Sequence, residues 1–137
     1  MKKKIFQSIL RVTIVILFVS LMLITGVLHN YFQKIQNQQL KEELALAALG
    51  VEQGGSSYLS GLEKHNNRIT WIDSNGNIRF DNQADITKMD NHRDREEFIE
   101  AIETGLGSSS RHSVTLTENT VYEAKLLSDG TVLRISM

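Results

Sequence analysis

Residues 12–28 (VTIVILFVSLMLITGVL) carry no charge, and 12 of these 17 are Val, Ile, Leu or Phe. With His29 neutral, the uncharged run extends to Phe32. About 20 apolar residues rising 1.5 Å each cross a hydrocarbon core of roughly 30 Å. Twelve strongly apolar side chains favour insertion by roughly 4 to 7 kcal/mol, which Thr13, Ser20, Thr25 and Gly26 reduce without reversing. A core helix of this composition needs cover on all sides, and the remaining chain is too short to supply it. A cleaved signal peptide has a shorter apolar region and a small-x-small cleavage site, whereas Gly26-Val27-Leu28-His29-Asn30-Tyr31-Phe32 follows here. The run is therefore expected to be an uncleaved anchor over 12–32. Lys2, Lys3, Lys4 and Arg11 precede it without an acid, so the positive-inside bias places 1–11 in the cytoplasm as a basic tail and the rest outside.

The 137 residues suit a single folded domain. There is no cysteine, which removes disulfides, thiolate nucleophiles and Cys-ligated metal sites. The formal net charge of −1 lacks the basic excess of a nucleic-acid binder. Of the 15 basic residues, four precede the anchor, leaving 11 against 16 acids in the outer part.

Residues 33–53 read as a stalk or signalling helix continuing the anchor without a joint. Leu40, Leu44, Ala47 and Val51 form one stripe, along which a second copy of the chain is expected to pair. Gly54 and Gly55 are expected to end it, with a short helix or turn at 58–64. The period then changes to two. RITWID (68–73) and NIRFD (77–81) predict two strands with Ile69, Trp71, Ile78 and Phe80 on one side, joined at Ser74-Asn75-Gly76. Residues 82–92 are polar and read as a loop. Helical spacing over 93–104 puts Phe98, Ile99, Ile102 and Leu106 on one face, with Asn91 as N-cap. Three further strands are predicted: 111–117 (Val114 and Leu116 inward), 121–127 (Tyr122, Ala124, Leu126) and 131–136 (Leu133, Ile135), with turns at Glu118-Asn119 and Ser128-Asp129-Gly130. The fold class is α+β: an N-terminal transmembrane helix running into a long helix, then a five-stranded antiparallel sheet carrying one helix over 54–137. A sheet domain this small needs cover from the long helix or a partner.

Chemical motifs are sparse. Asp73-x-Asn75-x-Asn77 begins like a calcium loop but has Ile78 at the position requiring glycine and Ala84 at the one requiring glutamate, so it reads as a turn. His65, His92 and His112 lack metal-ligand spacing, and no metal or cofactor is implied. Ser108–Ser110 with His112 reads as a polar strand edge rather than a nucleophile with its base. An anchored hydrolase has only Asp73, Asp81 and Glu97 to draw on. One cluster can hold a ligand: Asn91, His92 and Arg95 near a helix start, with Arg111, Tyr122 and Lys125 on later strands, since helix N-termini and guanidinium groups bind carboxylates and phosphates. The plainer alternative pairs Arg95 and Arg111 with Glu96, Glu100 or Glu123 and leaves Asn91 as a cap.

Arg68-Ile-Thr-Trp-Ile-Asp73 with Asn75-Gly76, Met89-x-Asn91-His92-x-x-Arg95-x-Glu97, Gly105-x-Gly107-Ser108, Arg111-x-Ser113-x-Thr115-Leu116 and Leu127-x-Asp129-Gly130-Thr131-Val132-Leu133-Arg134 occur in that order. Together they resemble the extracytoplasmic sensor region of bacterial two-component sensor histidine kinases of the phosphate-regulon type. The resemblance implies a PAS-like, single Cache domain and a homodimer responding to a small molecule or protein. It also implies a continuation: a second span, a HAMP linker, a phosphoacceptor-histidine helix pair and an ATP-binding domain, through which a response regulator is reached. None of these lies within the 137 residues. Asn91, His92, Arg95, Arg111 and Tyr122 are the positions matching the family pattern. The other reading is a complete membrane-anchored binding or adaptor protein without catalysis.

Overall fold

The computed structural model describes residues 2–62, 65–112 and 119–137. Two compact units divide the chain, Met1–Gln36 and Asn37–Met137. Helix α1, Lys2–Ser60, contributes to both.

In the first unit α1 is long and apolar enough to cross a membrane. Its large side chains from Ile5 to Phe32, including Leu17, Phe18 and Met22, are exposed. The hydroxyls of Thr13 and Thr25 donate to the carbonyls of Ile9 and Leu21 at 3.0 and 2.8 Å. The two threonine hydroxyls are thereby satisfied within the helix, as an apolar solvent would require of them.

The second unit is an antiparallel five-stranded sheet with α1 against one face and a second helix against the other. The strands are β1 (Arg68–Ile72), β2 (Ile78–Asp81), β3 (Leu106–His112), β4 (Asn119–Leu126) and β5 (Val132–Ser136), in the spatial order β2-β1-β5-β4-β3. Leu40, Leu44, Ala47, Ala48 and Val51 of α1 pack with Leu59, Ile69, Leu127, Leu133 and Ile135 in the larger core. This stripe is filled by the chain's own sheet, so it is closed to a second copy. Leu46 and Leu49 stay exposed on the same helix. The smaller core, on the opposite face, joins Ile72, Ala124 and Val132 to Phe98 and Ala101 of α2 (Glu96–Thr104).

The break expected at Gly54-Gly55 is present: Gly55, with a non-helical φ of 56° and ψ of −137° that only glycine adopts readily, interrupts α1, and a short second helical stretch runs on to Ser60, starting earlier than the expected 58–64. The reversal brings the Tyr58 ring so close to Gly50 that a Cβ there would overlap it. Several expectations require correction. Ile78 is not on the Ile69–Trp71–Phe80 side. A bulge between Trp71 and Ile72 shifts the register from Trp71↔Phe80 to Ile72↔Ile78, which turns Ile78 to the α2 face. The 82–92 loop contains a short 3-10 turn at Ile86–Lys88. Helix α2 begins at Glu96, and its N-cap is Arg95 without a side-chain cap, not Asn91. Its buried residues are Glu97, Phe98 and Ala101, whereas Ile99, Ile102 and Leu106 are exposed. Strand β3 starts at Leu106, before the predicted Arg111, because Gly107 and Ser109 fit beneath α2 where larger side chains would not. A Cβ on Gly107 would overlap the Glu97 carbonyl oxygen and lie 2.8 Å from the Ala101 nitrogen. The expected inward Val114 and Leu116, and the turn at Glu118, lie outside the described residues.

Candidate functional site

Between α2 and the sheet lies a buried polar network built from five strands, α2 and the preceding loop. Its centre is Glu97, fully buried in the first turn of α2. Carboxylate oxygen Oε2 accepts from Ser109 Oγ at 2.6 Å and from Arg111 Nη2 on β3. Oxygen Oε1 accepts from Arg134 Nη1 at 3.2 Å. Arg134, in the central strand β5, also donates through Nη2 to Thr70 Oγ1 on β1 at 3.1 Å. The Tyr122 ring on β4 lies under both guanidiniums, 4.6 Å from Arg111 and 5.2 Å from Arg134. Beyond Thr70 the network reaches Asp81 on β2, which accepts from Thr70 Oγ1 at 2.9 Å and from Arg68 Nε at 3.0 Å.

Burial alone would push the Glu97 carboxyl up. The Ser109 hydroxyl, the backbone and the two guanidiniums outweigh it and hold the group below the usual carboxylate range, so Glu97 is an anion. Burial lowers Arg134, opposed by Glu97 beside it. His92 is 6% exposed. Burial first, then the charges of Arg134 and Arg95, lower its pKa to about 4, so the ring is neutral. Two buried atoms here, His92 Nδ1 and Arg134 Nε, have no hydrogen-bond partner among the described residues.

The six residues of the expected cluster separate. Arg111 and Tyr122 enter the network, and His92 lies buried beside it. Arg95 caps α2, half-buried, with no ion pair among the described residues. Asn91 faces the β1–β2 turn instead: its Nδ2 donates to Asn75 O at 3.1 Å and Asn77 Oδ1 at 2.9 Å, and its Oδ1 accepts from Arg93 N at 2.8 Å. The His92 amide donates to Gly76 O at 2.8 Å, completing a clamp on that turn. Asp73 Oδ1 organises the turn by accepting from the amides of Asn75 and Asn77 at 2.8 and 2.9 Å. Lys125 lies on the α1 face, in a cleft of about 340 Å³ lined also by Lys41, Leu44, Leu106 and Glu123. The alternative pairings do not form either, since Arg111 pairs with Glu97 while Glu100 accepts from the Ser108 amide.

Glu97, Arg134, Ser109 and Thr70 lie outside the ligand cluster expected from the sequence. The available signal was Arg134, a lone charge inside the apolar strand Val132–Ser136. Chemically the network holds a carboxylate between two guanidiniums on a hydroxyl-lined sheet. Among the described residues no group of three His, Cys, Asp or Glu can hold a metal ion. Comparisons with protein-family models, curated proteins and solved structures find no match to this chain.

Proposed function

We propose that the chain is the outward-facing, PAS-like signal-sensing module of a membrane-bound sensor histidine kinase in two-component signalling. One observation carries the reading: α1 holds both the membrane-length apolar run and the Leu40–Val51 stripe that packs into the sheet's core. A change in the sheet thus acts on the helix that bears the anchor. The buried Glu97–Arg111–Arg134 network on the opposite face supports a site where an anion is recognised. Ligand shifts such a module only by binding one arrangement of α2 and sheet better than another. Pairing with a second copy falls to Leu46 and Leu49, the apolar residues α1 leaves exposed in this unit.

Two experiments test the reading. A single cysteine replacing the exposed Ser128 is expected to react with a membrane-impermeant maleimide on intact cells. Labelling only after lysis overturns the topology. Sequencing the gene past codon 137 is expected to reveal a second apolar span and a phosphoacceptor histidine. A stop codon directly there overturns the kinase assignment and leaves an anchored binding protein.

A further inference from the structure

Among the described residues every side-chain donor that holds Glu97 comes from the sheet: Arg111 and Ser109 from β3, and Arg134 from β5. Only the carboxylate comes from α2. We propose that this face of the sheet is a carboxylate-binding site whose resident occupant is the chain's own Glu97, and that an external small carboxylate takes the site by displacing Glu97 and releasing α2.

Four features favour a receptor over a plain structural ion pair. A buried charge network is seldom the most stabilising filling for a core, because desolvation offsets the attraction and apolar residues of similar volume do as well. The site offers more hydrogen-bonding capacity than Glu97 uses, since Arg134 Nε and His92 Nδ1 are buried beside it without a partner among the described residues. Cations exceed anions: Arg68, Arg95, Arg111 and Arg134 surround His92 and Glu97, against the carboxylates of Glu97 and Asp81. Finally, α2 is held by little apolar area. Of its large apolar residues only Phe98 is buried, while Ile99 and Ile102 are 44% and 41% exposed. A helix held by Phe98, Ala101 and one carboxylate is loosened when that carboxylate is replaced. The occupant fitting the donors best is a small carboxylate with a second oxygen for Arg134 Nε. The binding site stands without the kinase reading, and only the onward relay of α2's release rests on it.

The test uses the full chain in detergent micelles with Glu97→Ala, which empties the site. Urea unfolding is followed by Trp71 fluorescence in sodium acetate or in sodium chloride at the same ionic strength. Acetate is expected to raise the unfolding midpoint saturably. At tenfold excess over its dissociation constant, it multiplies the folded-to-unfolded ratio about elevenfold. Equal midpoints in the two salts overturn the proposal. Should Glu97→Ala not fold, Glu97→Gln keeps the shape of the side chain and weakens its hold. Hydrogen exchange in α2 of that variant is then expected to be faster in acetate than in chloride, and equal exchange overturns the proposal. Failure of either arm leaves the maleimide topology result untouched.

Discussion

Acid is expected to destabilise the sheet domain through His92 between its ordinary pKa of 6.5 and its folded value of about 4. In the folded chain the ring is buried against Arg134, Arg95 and Arg68, with Glu97 the nearby anion, and its pKa is lowered from 6.5 to about 4. In the unfolded chain the ring takes a proton near its ordinary value. Between these two values the unfolded state binds the extra proton, so stability falls as pH drops from 6.5 towards 4. The linkage relation gives a loss of about 2 kcal/mol by pH 5 and about 3 kcal/mol by pH 4. With a urea slope of about 1–3 kcal/mol/M, the pH 5 loss moves the midpoint by roughly 1 M. The assay compares wild type with His92→Gln, which keeps a polar side chain but does not titrate, at pH 7, 6 and 5. Trp71 is the chain's single tryptophan and reports unfolding from within β1. Carboxylate titrations occur in both proteins and cancel in the difference. Midpoints falling in parallel between pH 7 and pH 5 would refute the reasoning, because His92 would then be as free to protonate folded as unfolded.

Other substitutions probe the packing and the anchor. Gly107→Ala forces a methyl into the Glu97 carbonyl and is expected to cost about 1–3 kcal/mol, with faster hydrogen exchange in α2 and unchanged exchange in the β1–β2 hairpin. Leu133→Ala empties a fully buried position on the central strand and is expected to cost about 2–5 kcal/mol in urea unfolding. The double change Val19→Arg and Met22→Arg adds roughly 5–7 kcal/mol to insertion and is expected to move the protein out of the alkali-resistant membrane fraction.

The parts of the fold legible in the residues are those in which apolar side chains do the packing. Ile69 and Trp71 alternate with Thr70 and Ile72, Leu133 and Ile135 face α1, and Asn75-Gly76 marks the turn where Gly76 has φ of 86°. Strand β3 was legible only from Arg111 onward because its first half, Leu-Gly-Ser-Ser-Ser, buries a glycine and a serine hydroxyl rather than an apolar stripe. The side taken by Ile78 depends on the Trp71/Ile72 bulge, which has no mark in the residue pattern. In α2, Ile99 and Ile102 looked like core, but the close seat over Gly107 turns Glu97 and Ala101 inward instead. For the site, Arg111 and Tyr122 were visible as donors and aromatic, yet their shared centre was not. Glu97 and Arg134 stand 37 residues apart, and only strand order brings them together.

Strand β5 follows every other strand in the chain yet sits between β1 and β4. During synthesis the β1–β2 and β3–β4 hairpins leave the ribosome first, each with an edge that β5 has yet to pair. Neither α1's leucines nor Glu97 finds a complete surface until residues 132–136 emerge and join the halves. Folding is thereby postponed to a single late closure, and a nascent chain stalled before Val132 presents two sticky hairpins to chaperones and proteases.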